Sequence, residues 1–236
     1  MSATNTPKHL RSRWSKDGGL SVYFGGDLFD HKDLVGNAIL ADYIEKESAG
    51  RYRCIVPQTL EQTSTRGVEI RNNDLKNVLL SDVALFNFDG TDLDSGSVVE
   101  FVYAKMLDIP AVLLRTDFRS AGDSNKVDGD PWNLMAAKWP RTKVLVLHGM
   151  RDYRQALAER PRKLQWMSRL YSRMANQVIE AFDEARSQPP IARREQLFAI
   201  YEWAISIPGN GYDELFTTQA VERVIASKTK KGLLAE

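Results

Sequence analysis

Val83-Ala-Leu-Phe-Asn-Phe-Asp-Gly-Thr-Asp-Leu-Asp-Ser-Gly-Ser-Val-Val-Glu-Phe-Val-Tyr-Ala104 is the stretch that decides how this chain folds. Val83–Phe88 is a near-continuous apolar run of strand length, as expected for a strand covered on both faces. A Gly- and Asp-rich turn follows, then an apolar helix over about 97–107. One carboxylate, Glu100, stands inside the apolar run Val98-Val99-Glu100-Phe101-Val102. Burying an ionised carboxylate costs several kcal/mol or more unless partners satisfy it. An acid in such a place is therefore either structurally paired or chemically employed.

Strand and helix alternate on both sides of this unit. Upstream, the pattern predicts a strand over 20–24 ending at Gly25-Gly26, a helix over 33–47, a strand over 51–56 closed by Pro57, and a helix over 68–80. Downstream it predicts strands over 110–114 and 144–147, the second after a long loop. Such alternation argues for a parallel, flavodoxin/Rossmann-like α/β sheet flanked by helices, with right-handed crossovers. Ligands of such sheets bind beyond the carboxyl ends of the strands. From about residue 161 only long helices are expected, over 162–186, 191–206 and 212–226. The expected organisation is a flexible polar arm over 1–18, an α/β domain over 19–160, and a helical extension over 161–236.

Bulk chemistry narrows the function. Lys+Arg of 32 against Asp+Glu of 31 leaves a net charge of +1, so no strong field recommends nucleic acid or an anionic membrane as partner. Cys54 is the single cysteine, which excludes an intrachain disulfide and a Cys-rich zinc site. No apolar run reaches the roughly 18 residues of a membrane span, and the polar N-terminus lacks a signal-peptide core. A cytoplasmic enzyme or binding protein is expected.

Several chemistries fall away. The first strand leads into Gly25-Gly26-Asp27 rather than a Gly-x-Gly-x-x-Gly loop, and an acid there would repel a pyrophosphate. There is no Walker A lysine. His9, His31 and His148 have no metal-ligand spacing, so neither metal nor cofactor is expected. Ser95 and Ser97 lack a nucleophile elbow. Carboxylates remain: Asp89, Asp92, Asp94 and Glu100 on one strand–loop–helix unit, and Asp74 on the preceding helix. Acids converging on one pocket can be driven to different pKa values, which suits cleavage at an anomeric carbon. Asp89, Asp92 and Asp94 also read as turn formers, with Asp94 capping the following helix.

The residues resemble the nucleoside 2-deoxyribosyltransferase family over about 20–155. Four blocks carry the resemblance, in order: Tyr23-Phe-Gly-Gly-Asp-Leu-Phe29; Asn72-Asn-Asp-Leu75 followed by Ser81-Asp82; Asp94-Ser-Gly-Ser-Val-Val-Glu100 followed by Tyr103-Ala104; and Asn133-Leu-Met135. The resemblance implies Glu100 as the nucleophile that forms a covalent 2-deoxyribosyl-enzyme, with Tyr23 orienting it. It implies that Asp74 and Asp94 contact the base and manage its proton. On the same basis Asn133 from a neighbouring subunit binds the sugar 5′-hydroxyl with Met135 beside it, and Gly25, Phe29 and Gln58 or Gln62 line the substrate. Leu28 stands where some members carry an aromatic. The implied partners are nucleosides and nucleobases, in a homo-oligomer with shared active sites. Two other readings compete: an N-glycoside hydrolase of nucleoside 5′-monophosphates, and a non-catalytic nucleoside- or nucleotide-sensing domain.

Overall fold

The computed structural model describes residues 19–60, 66–119, 132–159 and 165–236. Its strands are β1 (Leu20–Gly26), β2 (Tyr52–Ile55), β3 (Val83–Asn87), β4 (Ala111–Arg115) and β5 (Thr142–Val146). They form one parallel sheet in the order β2-β1-β3-β4-β5. The helices are α1 (His31–Glu47), α2 (Gly67–Leu80), α3 (Ser95–Met106), α4 (Gly149–Ala158), α5 (Gln165–Ser187), α6 (Arg194–Ser206) and α7 (Thr218–Lys230).

The two-residue period of the strands divides the core cleanly. Val22, Phe24, Val83, Leu85, Val112 and Leu114 point to one face and pack with Leu40 and Ile44 of α1 and with Val178 and Phe182 of α5. Tyr23, Ala84, Phe86, Ala111 and Leu113 point to the other, against Leu75 and Val78 of α2 and Phe101 and Ala104 of α3. α6 and α7 add Leu197, Tyr201 and Val221 to this second cluster. With both faces covered, β3 and β4 read as unbroken apolar runs, the pattern a parallel central strand requires.

Side-chain caps set the helix starts. Asp30 accepts from Lys32 N at 2.7 Å and Asp33 N at 3.1 Å to open α1, and Asp94 accepts from Ser97 N at 2.6 Å to open α3. Each satisfies backbone donors that the first helical turn leaves free.

Three boundaries differ from the sequence reading. β1 continues through Gly25 and Gly26, which pair with Phe86 and Asn87 of β3. α4 is a helix beyond those expected, and Ala156 alone among its residues is buried. The last helix starts at Thr218, where Thr217 Oγ1 accepts from Ala220 N at 3.2 Å, and residues 213–215 form a separate single turn.

Among the described residues no helix is long and apolar enough to cross a membrane.

Candidate active site

In the strand order 2-1-3-4-5 the chain leaves β1 toward one face of the sheet and β3 toward the other. A crevice opens between them at the carboxyl edge, the usual ligand position in such sheets. Gly25, Gly26 and Asn87 line its floor. Asn87 Nδ2 donates to Asn37 Oδ1 at 3.3 Å, and Asn37 Nδ2 donates to the Asp27 carbonyl at 2.9 Å. This short chain pins the loop leaving β1 to α1 and β3.

Tyr23 and Gly25 alternate to the face carrying α2 and α3. There the carboxylate of Glu100 lies directly over Gly25. A Cβ added at Gly25 would stand 2.9 Å from Glu100 Oε2 and 2.9 Å from Cδ1 and Cε1 of Phe86. The glycine is needed because the carboxylate and the strand approach closer than any side chain permits. Glu100 is pushed up to about 8, first by burial and then by the charges of Asp74 and Asp94. Asp74 is itself raised to about 6 by burial. Asp74 therefore ionises first, and its charge then opposes ionisation of Glu100.

Tyr23 supplies the one counterweight. Its phenol is close enough to favour the charged form of Glu100, yet its buried Oη completes no hydrogen bond. The phenol is held well above its ordinary pKa by burial and by Glu100 and Asp74, so it remains a donor. Asp74 Oδ1 is likewise buried and unpartnered. Buried polar atoms rarely lack partners without a reason, and here two of them converge on one carboxylate.

Asp94 caps α3 and also acts electrostatically on Glu100 and on Asp27. Asp27 is raised by burial and then by Asp94. The sequence reading used Asp27 only to argue against a pyrophosphate; the structure adds it to the acids at the crevice. Its signal was its place immediately beyond the strand's last pairs. Asp89 has another role: it accepts from Thr116 N at 2.5 Å, Thr116 Oγ1 at 2.6 Å and Asp117 N at 2.8 Å, tying together the loops after β3 and β4.

The other candidates scatter. Phe29 is 78% exposed just before α1. Gln58 donates from Nε2 to the Leu34 carbonyl at 2.5 Å, which leaves Oε1 buried and unpartnered. Gln62 lies outside the described residues. Asn133 caps a single turn by accepting from Met135 N at 2.9 Å, and Met135 is 73% exposed. Both line a cavity of about 580 Å³ with Ser95, Val98, Arg115 and Trp132. Val98 is two residues from Glu100, roughly 200° around the helix. One chain thus places Asn133 and Met135 on the flank of α3 turned away from Glu100. Among the described residues no cluster of His, Cys, Asp and Glu is arranged to hold a metal ion.

No curated protein matches the chain. Among solved structures, a conserved protein from Enterococcus faecalis V583 is 26% identical, over 61% of this chain and 99% of its own, with a TM-score of 0.43. A 2-desoxiribosyltransferase from Leishmania mexicana is 22% identical, over 53% of this chain and 89% of its own, with a TM-score of 0.42. A 2-deoxyribosyltransferase from Bacillus psychrosaccharolyticus is 15% identical, over 43% and 77%, with a TM-score of 0.37. The family model for nucleoside 2-deoxyribosyltransferase matches residues 22–135, the span that holds Tyr23, Gly25, Asp74, Asp94 and Glu100. Through this α/β portion, just under half of its length, the chain is similar to the nucleoside 2-deoxyribosyltransferase family.

Proposed function

We propose that the protein transfers a 2-deoxyribosyl group between nucleobases through a covalent intermediate on Glu100. The observation that carries this reading is the Glu100 carboxylate, held over Gly25 beside an unpartnered Tyr23 hydroxyl. A substrate that draws Tyr23 Oη fully onto Glu100 would favour the ionised nucleophile. One Glu100 oxygen then bonds to C1′ as the N-glycosidic bond breaks, and its electron pair leaves with the base. The departing base takes a proton from Asp74 or Asp94. Burial raises Asp74 to about 6, and a proton that passes to it from Glu100 as Tyr23 engages the nucleophile leaves Glu100 ionised and the acid protonated for the leaving base. A second base reverses the sequence: its ring nitrogen bonds to C1′, the ester bond to Glu100 breaks, and the acid recovers its proton. Water in place of the second base gives hydrolysis as a side reaction, so excluding water favours transfer.

Asp27, Asp74 and Asp94 at one crevice favour an uncharged nucleoside that offers N–H donors, and disfavour a 5′-phosphate. Asn133 and Met135 fit this scheme when a second copy of the chain brings them to the open side of the site. That makes an oligomer with shared sites part of the proposal.

The test is incubation of the full chain with deoxyinosine and adenine. Deoxyadenosine should form in the wild-type protein, and a 2-fluoro-arabino nucleoside should leave a mass adduct on Glu100. Activity confined to deoxynucleoside 5′-monophosphates, or free sugar released at a rate indifferent to the acceptor base, would replace transfer with hydrolysis.

A further inference from the structure

The family match ends at residue 135 and so assigns no part to the helices beyond residue 165. The loop between α6 and α7, Pro208-Gly-Asn-Gly-Tyr212, suggests one. Three successive residues there lie in the left-handed region: Gly209 at φ 58°, Asn210 at 53° and Gly211 at 76°. Glycine and asparagine enter that region at least cost. A Cβ at Gly209 would meet nothing, so backbone shape rather than crowding explains the choice.

This turn presents its carbonyls to α2. Arg71 Nη2 donates to the Pro208 carbonyl at 3.0 Å and, more weakly, to that of Gly209 at 3.4 Å. Asn72 Nδ2 donates to the Asn210 carbonyl at 3.2 Å. Arg71 also donates to Asn72 Oδ1 from Nη2 at 2.7 Å and from Nε at 3.2 Å, so the two side chains act as one bracket. The next residue, Tyr212, is fully buried. Its ring meets that of Tyr103 on α3 edge-on, and the two hydroxyls are 3.1 Å apart. One short segment thus grips α2 just before Asp74 and α3 one turn after Glu100.

We propose that residues 208–212 are a clamp that fixes the spacing of α2 and α3, and so positions Asp74 against Glu100. The inference rests on the transfer chemistry proposed above. Asn72 and Tyr212 are positioning residues, because neither needs to touch substrate. Weakening the clamp lets α2 ease away from α3, with two consequences at Glu100. The charge of Asp74 recedes and water gains access, and both lower the pH at which the nucleophile ionises.

Asn72→Ala and Tyr212→Phe in the full chain test this, with deoxyinosine and adenine as substrates. Asn72→Ala should lower kcat on the order of tenfold, since small misplacements of reacting groups cost that much or more, and KM should change less than kcat. The acid limb of the kcat/KM profile should move to lower pH. Tyr212→Phe keeps the ring contact and should give a smaller change of the same sign. A readout independent of activity is amide hydrogen exchange over residues 67–76, which should quicken on the order of tenfold in Asn72→Ala. If wild-type protein turns over no nucleoside while the exchange behaves as stated, the transfer reading fails and the clamp stands. Wild-type activity with an unmoved pH limb and unchanged exchange in Asn72→Ala overturns the clamp. If Asn72→Ala does not fold, Tyr212→Phe decides: an unchanged kcat and pH limb in that variant also overturns it.

Discussion

The two ends of the sheet treat buried charge in opposite ways. At the amino end each acid has partners. Asp82 accepts from Ser21 N at 2.8 Å, Ser21 Oγ at 3.0 Å and Lys231 Nζ at 2.7 Å. Asp108 accepts from Ile191 N at 2.8 Å and Ala192 N at 3.1 Å and lies 2.8 Å from Arg141 Nη1 as an ion pair. Arg141 further donates to the carbonyls of Asp108 at 2.6 Å and Leu233 at 2.9 Å, and Lys228 to that of Leu79 at 2.8 Å. At the carboxyl end Glu100 and Asp74 are partly buried near one another and an unpartnered phenol, with mutual repulsion in place of pairing. Paired acids hold the chain together; unpaired acids cost stability and are kept where they can react.

Exchanging acids at the two ends should give opposite outcomes, and this is the largest contrast expected. Glu100→Ala should reduce transfer on the order of 10³-fold or more. Glu100→Gln should be as inactive yet more stable than wild type. The sign follows from the folded carboxyl at about 8 against an ordinary 4.5. The folded chain binds the extra proton, so wild-type stability falls as pH rises between those values. The glutamine variant escapes this loss, and its advantage should grow to about 1–3 kcal/mol at pH 9. Asp108→Ala should instead lose about 3–5 kcal/mol, because it strands the buried Arg141. Urea melts of the three variants at pH 5 and pH 9 check the contrast, and a destabilised Glu100→Gln at pH 9 would break it.

Next in size is Gly25→Ala. The added methyl must displace Glu100 or Phe86, and the carboxylate is the freer to move. We expect kcat to fall on the order of 10²-fold while the fold persists. Circular dichroism with steady-state kinetics checks it, and wild-type kcat in a folded variant would show that the close approach is irrelevant.

A smaller effect concerns Tyr23. Activity that requires ionised Glu100 should rise with pH through about 8 in the free protein. The tyrosine hydroxyl favours the charged form, so Tyr23→Phe should move the acid limb of kcat/KM upward by about one pH unit or less. A limb that stays in place would assign Tyr23 to packing against Phe86, whose ring centroid is 6.1 Å away.

How much of this was legible in the sequence also divides by region. The carboxyl end was readable because its logic is local. Strand runs, the Gly25-Gly26 pair at the end of the first strand and an acid inside an apolar helix sit within short windows, and the parallel sheet follows from the alternation of strand and helix. The amino end was not readable, since Asp82 with Lys231 and Arg141 with Leu233 are joined across 149 and 92 residues. α5 shows the same limit. The sequence gives a long helix, but nothing local tells that Val178 and Phe182 cover the sheet beside α1. α4 differs again: Met150, Tyr153 and Leu157 give it an apolar side, but these stay exposed and Ala156 is its one buried residue, so it adds little to the core.

The smallest expected effect returns to the amino end and tests whether its pairing is complete. Lys228 is buried, its ammonium lies 5.7 Å over the Tyr201 ring, and burial lowers it to about 7 from an ordinary 10.5. Asp82 pulls the other way, while Lys231 and Arg141 add to the lowering. The unfolded chain therefore binds more protons than the folded one between those values. Stability contributed by this group should rise as pH climbs from 7 toward 10, and be lowest and flat below 7. Lys228→Met keeps the length of the stem and removes the charge, at the cost of the hydrogen bond to the Leu79 carbonyl. The two changes oppose each other at neutral pH, so the net shift there should be within about 1 kcal/mol. What should change is the slope: thermal melts of the variant from pH 7 to pH 10 should lose the upward trend that wild type shows. A wild-type slope already flat over that range would mean that Asp82 and the Leu79 carbonyl fully offset the burial of Lys228. The amino end would then hold no unpaired charge at all, and the contrast with Glu100 would be sharper still.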